Sequence, residues 1–217
     1  MRVRVKICGL SSADAMRAAV RHGADAIGFV FAESPRRVAI PDAMHMSGDM
    51  PPFVARVAVF RHPSPKDVES VLGRVRPDVV QTEPDPAVLA VVPPGISWLP
   101  VFHDRGSLVS DALDYVGQPH NRAGAVLLEA PGRGGRGIAP DWSRAKELAA
   151  NIPVILAGGL TPENVGDAIR LVRPYAVDVS SGVESSPGHK DPGRIRAFLR
   201  AVRQAEEEVR STSEVTT

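Results

Sequence analysis

Cysteine is nearly missing from this chain: Cys8 stands alone among 217 residues. No internal disulfide can form, and such usage fits a reducing compartment. An excess of one charge is missing too. Lys and Arg number 26 against 25 Asp and Glu, a formal net charge of +1, so there is no electrostatic case for nucleic acid or an anionic membrane as partner. No run reaches the roughly 18 apolar residues of a membrane span. The start, Met1-Arg2-Val3-Arg4-Val5-Lys6, alternates charges with valines and is not a signal peptide. A soluble, cytoplasmic protein is expected. His103 has no second His, Cys or carboxylate at ligand spacing, so no metal site is expected.

What is present is punctuation and core. Apolar residues make up 43% of the chain, enough to bury a sizeable core, and the 20 prolines fall mostly between apolar runs, as loop residues do. Short β-branched runs alternate with amphipathic segments. Val3 to Ile7 predicts the first strand, and Ser11 or Ser12 caps the helix after it. Further strands are predicted at 25–31, 53–60, 78–81, 97–102 and 124–128. The stretch Pro153 to Asp191 supplies the last two strands, each ending in a small-residue loop, Gly158-Gly159 and Ser180-Ser181-Gly182. Between them, Val165, Ala168, Ile169 and Val172 mark a helix by their spacing. The last helix is predicted from Asp191 to about Glu208.

Eight strands alternating with eight helices over about 205 residues predict an α/β fold, a single-domain (β/α)8 TIM barrel. The barrel is assigned to residues 1–209, and 210–217 to a disordered polar tail. An open doubly wound sheet is the alternative. It is disfavoured because glycines and polar residues follow strands at both ends of the chain, where barrel closure would bring them to one rim.

In such a barrel the working residues follow the strands. These positions hold Cys8, Arg36, Gln81, His103 or Asp104, Glu129, Gly158-Gly159 and Ser181-Gly182. Cys8 is a candidate base, since a thiol at a strand end near a helix N-terminus can have a lowered pKa; a lone cysteine is otherwise a small buried hydrophobe. Glu129 ends an apolar strand and can stay protonated as a general acid. Arg36 suits a carboxylate, while Arg37 reads as solvated. The glycine loops suit a phosphate. Gly134-Gly135-Arg136-Gly137 reads either as a mobile loop or as part of the same cradle.

Together these pieces resemble phosphoribosylanthranilate isomerase, a family of tryptophan biosynthesis. The matching stretches are Lys6-Ile7-Cys8-Gly9-Leu10, Gly23 to Phe31 with Ser34-Pro35-Arg36, and Gly134 to Gly137 with Asp141-Trp142. They continue with Leu156 to Val165, then Val177 to Glu184 with Pro187 to Asp191. The resemblance implies a barrel that carries out an Amadori rearrangement of N-(5-phosphoribosyl)anthranilate without cofactor or metal. It implies Cys8 as base, Arg36 near the anthranilate carboxylate, and Gly135, Gly137, Gly158, Gly159, Ser181 and Gly182 at the phosphate. A small phosphorylated substrate and a monomer or homodimer are implied as well.

Two positions depart from the family pattern. The family's acid is an aspartate where this chain has Glu129, and a misplacement of about 1 Å can cost on the order of 100-fold in rate. The family's Gln-Leu-His-Gly is here Gln81-Thr82-Glu83-Pro84: Gln81 is kept and Glu83 stands in place of the histidine. These departures motivate an alternative, a repurposed relative that binds a phosphosugar or acts on a related phosphorylated aminosugar.

Overall fold

The computed structural model describes residues 2–119, 121–132 and 137–214. The strands are β1 (Arg4–Cys8), β2 (Ala26–Val30), β3 (Ala55–Val59), β4 (Val79–Thr82), β5 (Ser97–His103), β6 (Val126–Glu129), β7 (Val154–Leu156) and β8 (Ala176–Val179). All pair in parallel, and β8 pairs back onto β1 to close the barrel. The helices between them are α1 (Ala13–Arg21), α2 (Ile40–Gly48), α3 (Pro65–Val75), α4 (Pro86–Val91), α5 (Leu108–Val116), α6 (Trp142–Ala149) and α7 (Val165–Val172). The last helix, α8 (Pro192–Glu214), packs against α7 and α1 and completes the ring. No described helix is long and apolar enough to cross a membrane.

Local chemistry sets the helix starts. Ser12 Oγ accepts from the Ala15 N–H, and Ser64 with Asp67 forms a capping box ahead of Pro65. Asp85 and Asp141 each cap the following helix with their carboxylates. These contacts satisfy amide N–H groups that a helix start leaves open.

Side-chain alternation along the strands divides the interior into two layers. Ile7, Ile27, Phe29, Val80, Trp98, Phe102, Leu128, Leu156 and Val177 belong to the large apolar cluster beneath the helices. Leu99, Val101, Leu127 and Ala157 form a separate small cluster in the barrel interior. Lys6, Cys8, Gln81, His103, Glu129 and Asp178 share this inward parity, which gathers them toward the rim at the C-terminal ends of the strands.

Two features differ from the sequence expectation. A hairpin of β9 (Glu184–Ser186) and β10 (His189–Lys190) follows a 3-10 turn at Ser181–Val183. Strands of three and two residues carry no readable period. The last helix also runs on to Glu214, past the expected end near Glu208 and into the stretch read as a disordered tail. Ala205 and Val209 are both buried, so the apolar face of Ile195, Phe198, Leu199 and Val202 continues in phase. Residues 215–217 of that tail lie outside the described residues.

Candidate active site

The β1–β8 closure brings an ion pair into the barrel. Lys6 Nζ donates to Asp178 Oδ1 at 3.0 Å, with both side chains less than a tenth exposed. Burial works against the Lys6 ammonium, but Asp178 and Cys8 outweigh it and hold its pKa above the usual value. Neither partner was singled out as a site residue from sequence. The readable signal was a charge at an inward position of each of two strands that close on each other, Lys6 and Asp178.

Cys8 sits one inward position above Lys6 and is buried. Gly28, its register partner on β2, leaves the room it occupies: a Cβ there would lie 3.0 Å from Cys8 Sγ and 3.2 Å from Lys6 Cε. The sequence suggested a lowered thiol pKa; the structure corrects this. Burial pushes the Cys8 thiol up, Lys6 pulls it partly back, and the Asp178 charge pushes it up again.

Glu129 ends β6 on the other side of the same interior. Burial raises its pKa, the Asp178 charge raises it further, and His103 and Lys6 oppose. This is the direction a proton donor needs. His103 is its register partner on β5. Asp104, the other candidate at that strand end, turns away. It accepts from Arg144 Nε at 2.7 Å and from the Asp141 N–H at 2.6 Å, tying the loop to α6. Glu83, which stands in place of the family's histidine, points at His103 and His62. Burial would raise its pKa, but the His103 hydrogen bond and backbone N–H groups win and lower it to about 2. Gln81 is buried, and its Oε1 has no hydrogen-bond partner among the described residues.

Beside this chemical rim lies a cleft of about 380 Å³, lined among others by Gly137, Gly159, Thr161, Ser181, Gly182 and Arg194. Its walls are backbone meeting backbone. Gly159 has φ +60°, and a Cβ on it would come 2.7 Å from Ala139 N. A Cβ on Gly182 would come 1.9 Å from Leu160 O. Neither contact tolerates a side chain. Gly158, at φ +88°, does not line the cleft; a Cβ on it would come 2.9 Å from Ile138 O. Gly135, with the rest of 133–136, lies outside the described residues.

Arg36 also borders the cleft, and the hairpin holds it. Arg36 Nε and Nη2 each donate to Glu184 at 2.8 Å, a bidentate pair. Lys190 Nζ donates to the same carboxylate at 2.6 Å and to Ser180 O at 3.0 Å. Burial would raise the Glu184 pKa, but these two cations outweigh it and lower it. Ser180 Oγ in turn donates to Cys8 O at 3.1 Å. The hairpin turn is pinned where Ser11 Oγ donates to Gly188 O at 3.0 Å. Glu184 and Lys190 lay within the stretches that resemble the family but were not singled out, and Arg194 had no sequence signal.

The interior therefore offers a raised carboxyl, a thiol beside an ammonium, and a polar cleft bordered by a fixed guanidinium. Comparisons with known proteins give the family. A family model described as N-(5'phosphoribosyl)anthranilate (PRA) isomerase matches residues 5–201. The N-(5'-phosphoribosyl)anthranilate isomerase of Bordetella petrii is 41% identical over 222 residues, spanning 97% of this chain and 99% of the relative. The solved phosphoribosyl anthranilate isomerase of Thermus thermophilus superposes with a TM-score of 0.83 at 36% identity, over 93% of this chain and 99% of that one. Another solved isomerase, in complex with reduced 1-(o-carboxyphenylamino)-1-deoxyribulose 5-phosphate, gives a TM-score of 0.80 at 35% identity, over 93% and 99%. The chain belongs to the N-(5'-phosphoribosyl)anthranilate isomerase family.

Proposed function

We propose that this protein catalyses the Amadori rearrangement of N-(5-phosphoribosyl)anthranilate to 1-(2-carboxyphenylamino)-1-deoxyribulose 5-phosphate, a step of tryptophan biosynthesis. The observation that carries it is the joint placement of Cys8 and Glu129 on the inward face of the barrel, with the Lys6–Asp178 pair in the same interior. The cleft at the ends of β7 and β8 takes the phosphate, as the bound relative's phosphorylated ligand suggests.

Glu129 gives its proton to the furanose ring oxygen. The C1–O bond breaks, and the anilino nitrogen lone pair forms the C1=N bond of a cationic Schiff base. Cys8 takes the C2 proton, and the C2–H electrons move to make the C1–C2 double bond of an enolamine. The Cys8 thiol returns its proton to C1 and solvent takes the O2 proton, which gives the aminoketone. Proton transfers alone complete the sequence, and no cofactor is needed. Burial opposes the Cys8 thiolate that this requires. Lys6 favours it, and the positive charge of the Schiff base favours it when the C2 proton must leave. Arg36 faces the anthranilate carboxylate, oriented by Glu184. Gln81 turns its unpartnered amide oxygen to the substrate.

The test generates the substrate in place from anthranilate, phosphoribosyl pyrophosphate and the upstream transferase, and follows the loss of its fluorescence. The intact protein should consume it, and Cys8→Ala and Glu129→Gln should not. No consumption by the intact protein overturns the assignment.

A further inference from the structure

Glu129 loses a proton in each cycle and must regain one from solvent or product while largely buried. The side chain best placed to supply it is His103. Its Nδ1 lies 3.3 Å from Ala130 O and 4.0 Å from Glu129 Oε2, and its Nε2 lies 3.5 Å from Glu83 Oε1. Both ring nitrogens thus face acceptors, and only the imidazolium can donate from both. Glu83 is held in place for this: its Oε2 accepts from the His62 N–H at 3.1 Å and from Thr82 Oγ1 at 3.2 Å. The His103 side chain is 25% exposed, and its Nδ1 is on the side of Glu129. Glu83 and Glu129, the two departures from the family pattern, are the two carboxylates that flank this ring.

We propose that His103, kept as a cation by Glu83, is a proton relay that reloads Glu129 after each ring opening. The proposal rests on Glu129 as the acid. In the reload, a small turn of the ring exchanges Ala130 O for the Glu129 carboxylate. The Nδ1 proton then passes to Oε2, which leaves a neutral imidazole and a carboxylic acid. The imidazole regains a proton from solvent, and Glu83 restores its charge. Contacts of this kind are often long in the free protein and tighten with ligand bound.

The other charges near the relay are accounted for. His62 lies beyond Glu83, its Nε2 3.7 Å from Oε1, and its side chain is 72% exposed. Asp104 is engaged by Arg144. Lys6 and Asp178 also act on Glu129, Asp178 raising its pKa and Lys6 lowering it. The Glu83 hydrogen bond raises the His103 pKa against burial, which favours the loaded form of the relay.

A relay acts only between turnovers, and this separates it from a structural role. In His103→Gln, a single turnover with enzyme in excess should proceed at the intact rate. Steady-state turnover should slow about tenfold or more, within the range of general acid–base effects, and added imidazole should restore it. Glu83→Gln should slow the steady state only above the usual histidine pKa of about 6.5, where the ring loses its charge. If His103→Gln does not fold, Glu83→Gln carries the test through that pH dependence. The proposal is overturned by steady-state rates equal to the intact protein's, or by equal slowing of the first and later turnovers. Glu129→Gln in the same assay keeps the levels apart. If it is active, the acid assignment fails and the relay with it; if it is inactive while His103→Gln is unaffected, only the relay fails.

Discussion

At the scale of single residues, the site works by placing ionisable groups where burial and neighbours disagree. Glu129 is pushed toward the acid form and Glu83 toward the carboxylate, although both are mostly buried and both face His103. Their linkage to stability has opposite signs. The Glu83 pKa is depressed from 4.5 to about 2, so its contribution is complete above 4.5 and is lost as pH falls toward 2. The His103 pKa is raised above 6.5, so its contribution is complete below 6.5 and is lost as pH rises through the raised value. Between about 4.5 and 6.5 both hold. Chemical denaturation of the intact protein and Glu83→Gln should show the largest stability difference in that window, shrinking on either side. Cys8 is predicted to resist iodoacetamide at neutral pH more than a free thiol does, because burial raises its pKa and limits access. The sequence already placed Cys8 and Glu129 at strand ends. It did not carry the direction of the Cys8 shift, because that depends on β2 packing over it at Gly28, a contact twenty residues away in the chain.

At the scale of elements, the loops after β7 and β8 and the hairpin that follows line the cleft proposed to bind the phosphate. Glycine at 182 follows from backbone contact, and Gly182→Ala should cost roughly 1–3 kcal/mol, the usual range for overpacking, in a denaturation experiment. Glu184 joins Arg36 to Lys190 with all three side chains nearly covered. Replacing it by Gln leaves two buried cations short of a counter-charge. A loss of about 3 kcal/mol is expected, together with a raised KM, since Arg36 loses its orientation. The glycine loops and the helix between them were legible in their spacing. The hairpin was not: β9 and β10 are too short to show alternation, and they exist because Lys190 and Glu184 meet across the turn. Arg36 was legible as a candidate, whereas the group that aims it lies 148 residues further along.

At the scale of the whole molecule, closure of β8 on β1 makes the two ends of the chain one site. Strict alternation of strand and helix made the barrel readable, and closure then implied that Cys8 and Ser181-Gly182 share a rim. The end of α8 was less readable, because its outer face is charged and only Ala205 and Val209 continue the buried one. Val209→Ala should therefore cost about 1.5 kcal/mol, the burial of two methyl-sized groups; a helix whose packing ended near Glu208 would predict no cost. All of this scaffold serves one chemical assignment, a carboxyl and a thiol acting on one phosphorylated ligand. The most direct measurement follows fluorescence decay of freshly generated N-(5-phosphoribosyl)anthranilate with the intact protein, Cys8→Ala and Glu129→Gln at equal folded concentration. Decay with the intact protein and none above background with either variant is the predicted result. No decay with the intact protein, or decay that either variant leaves unchanged, would contradict it.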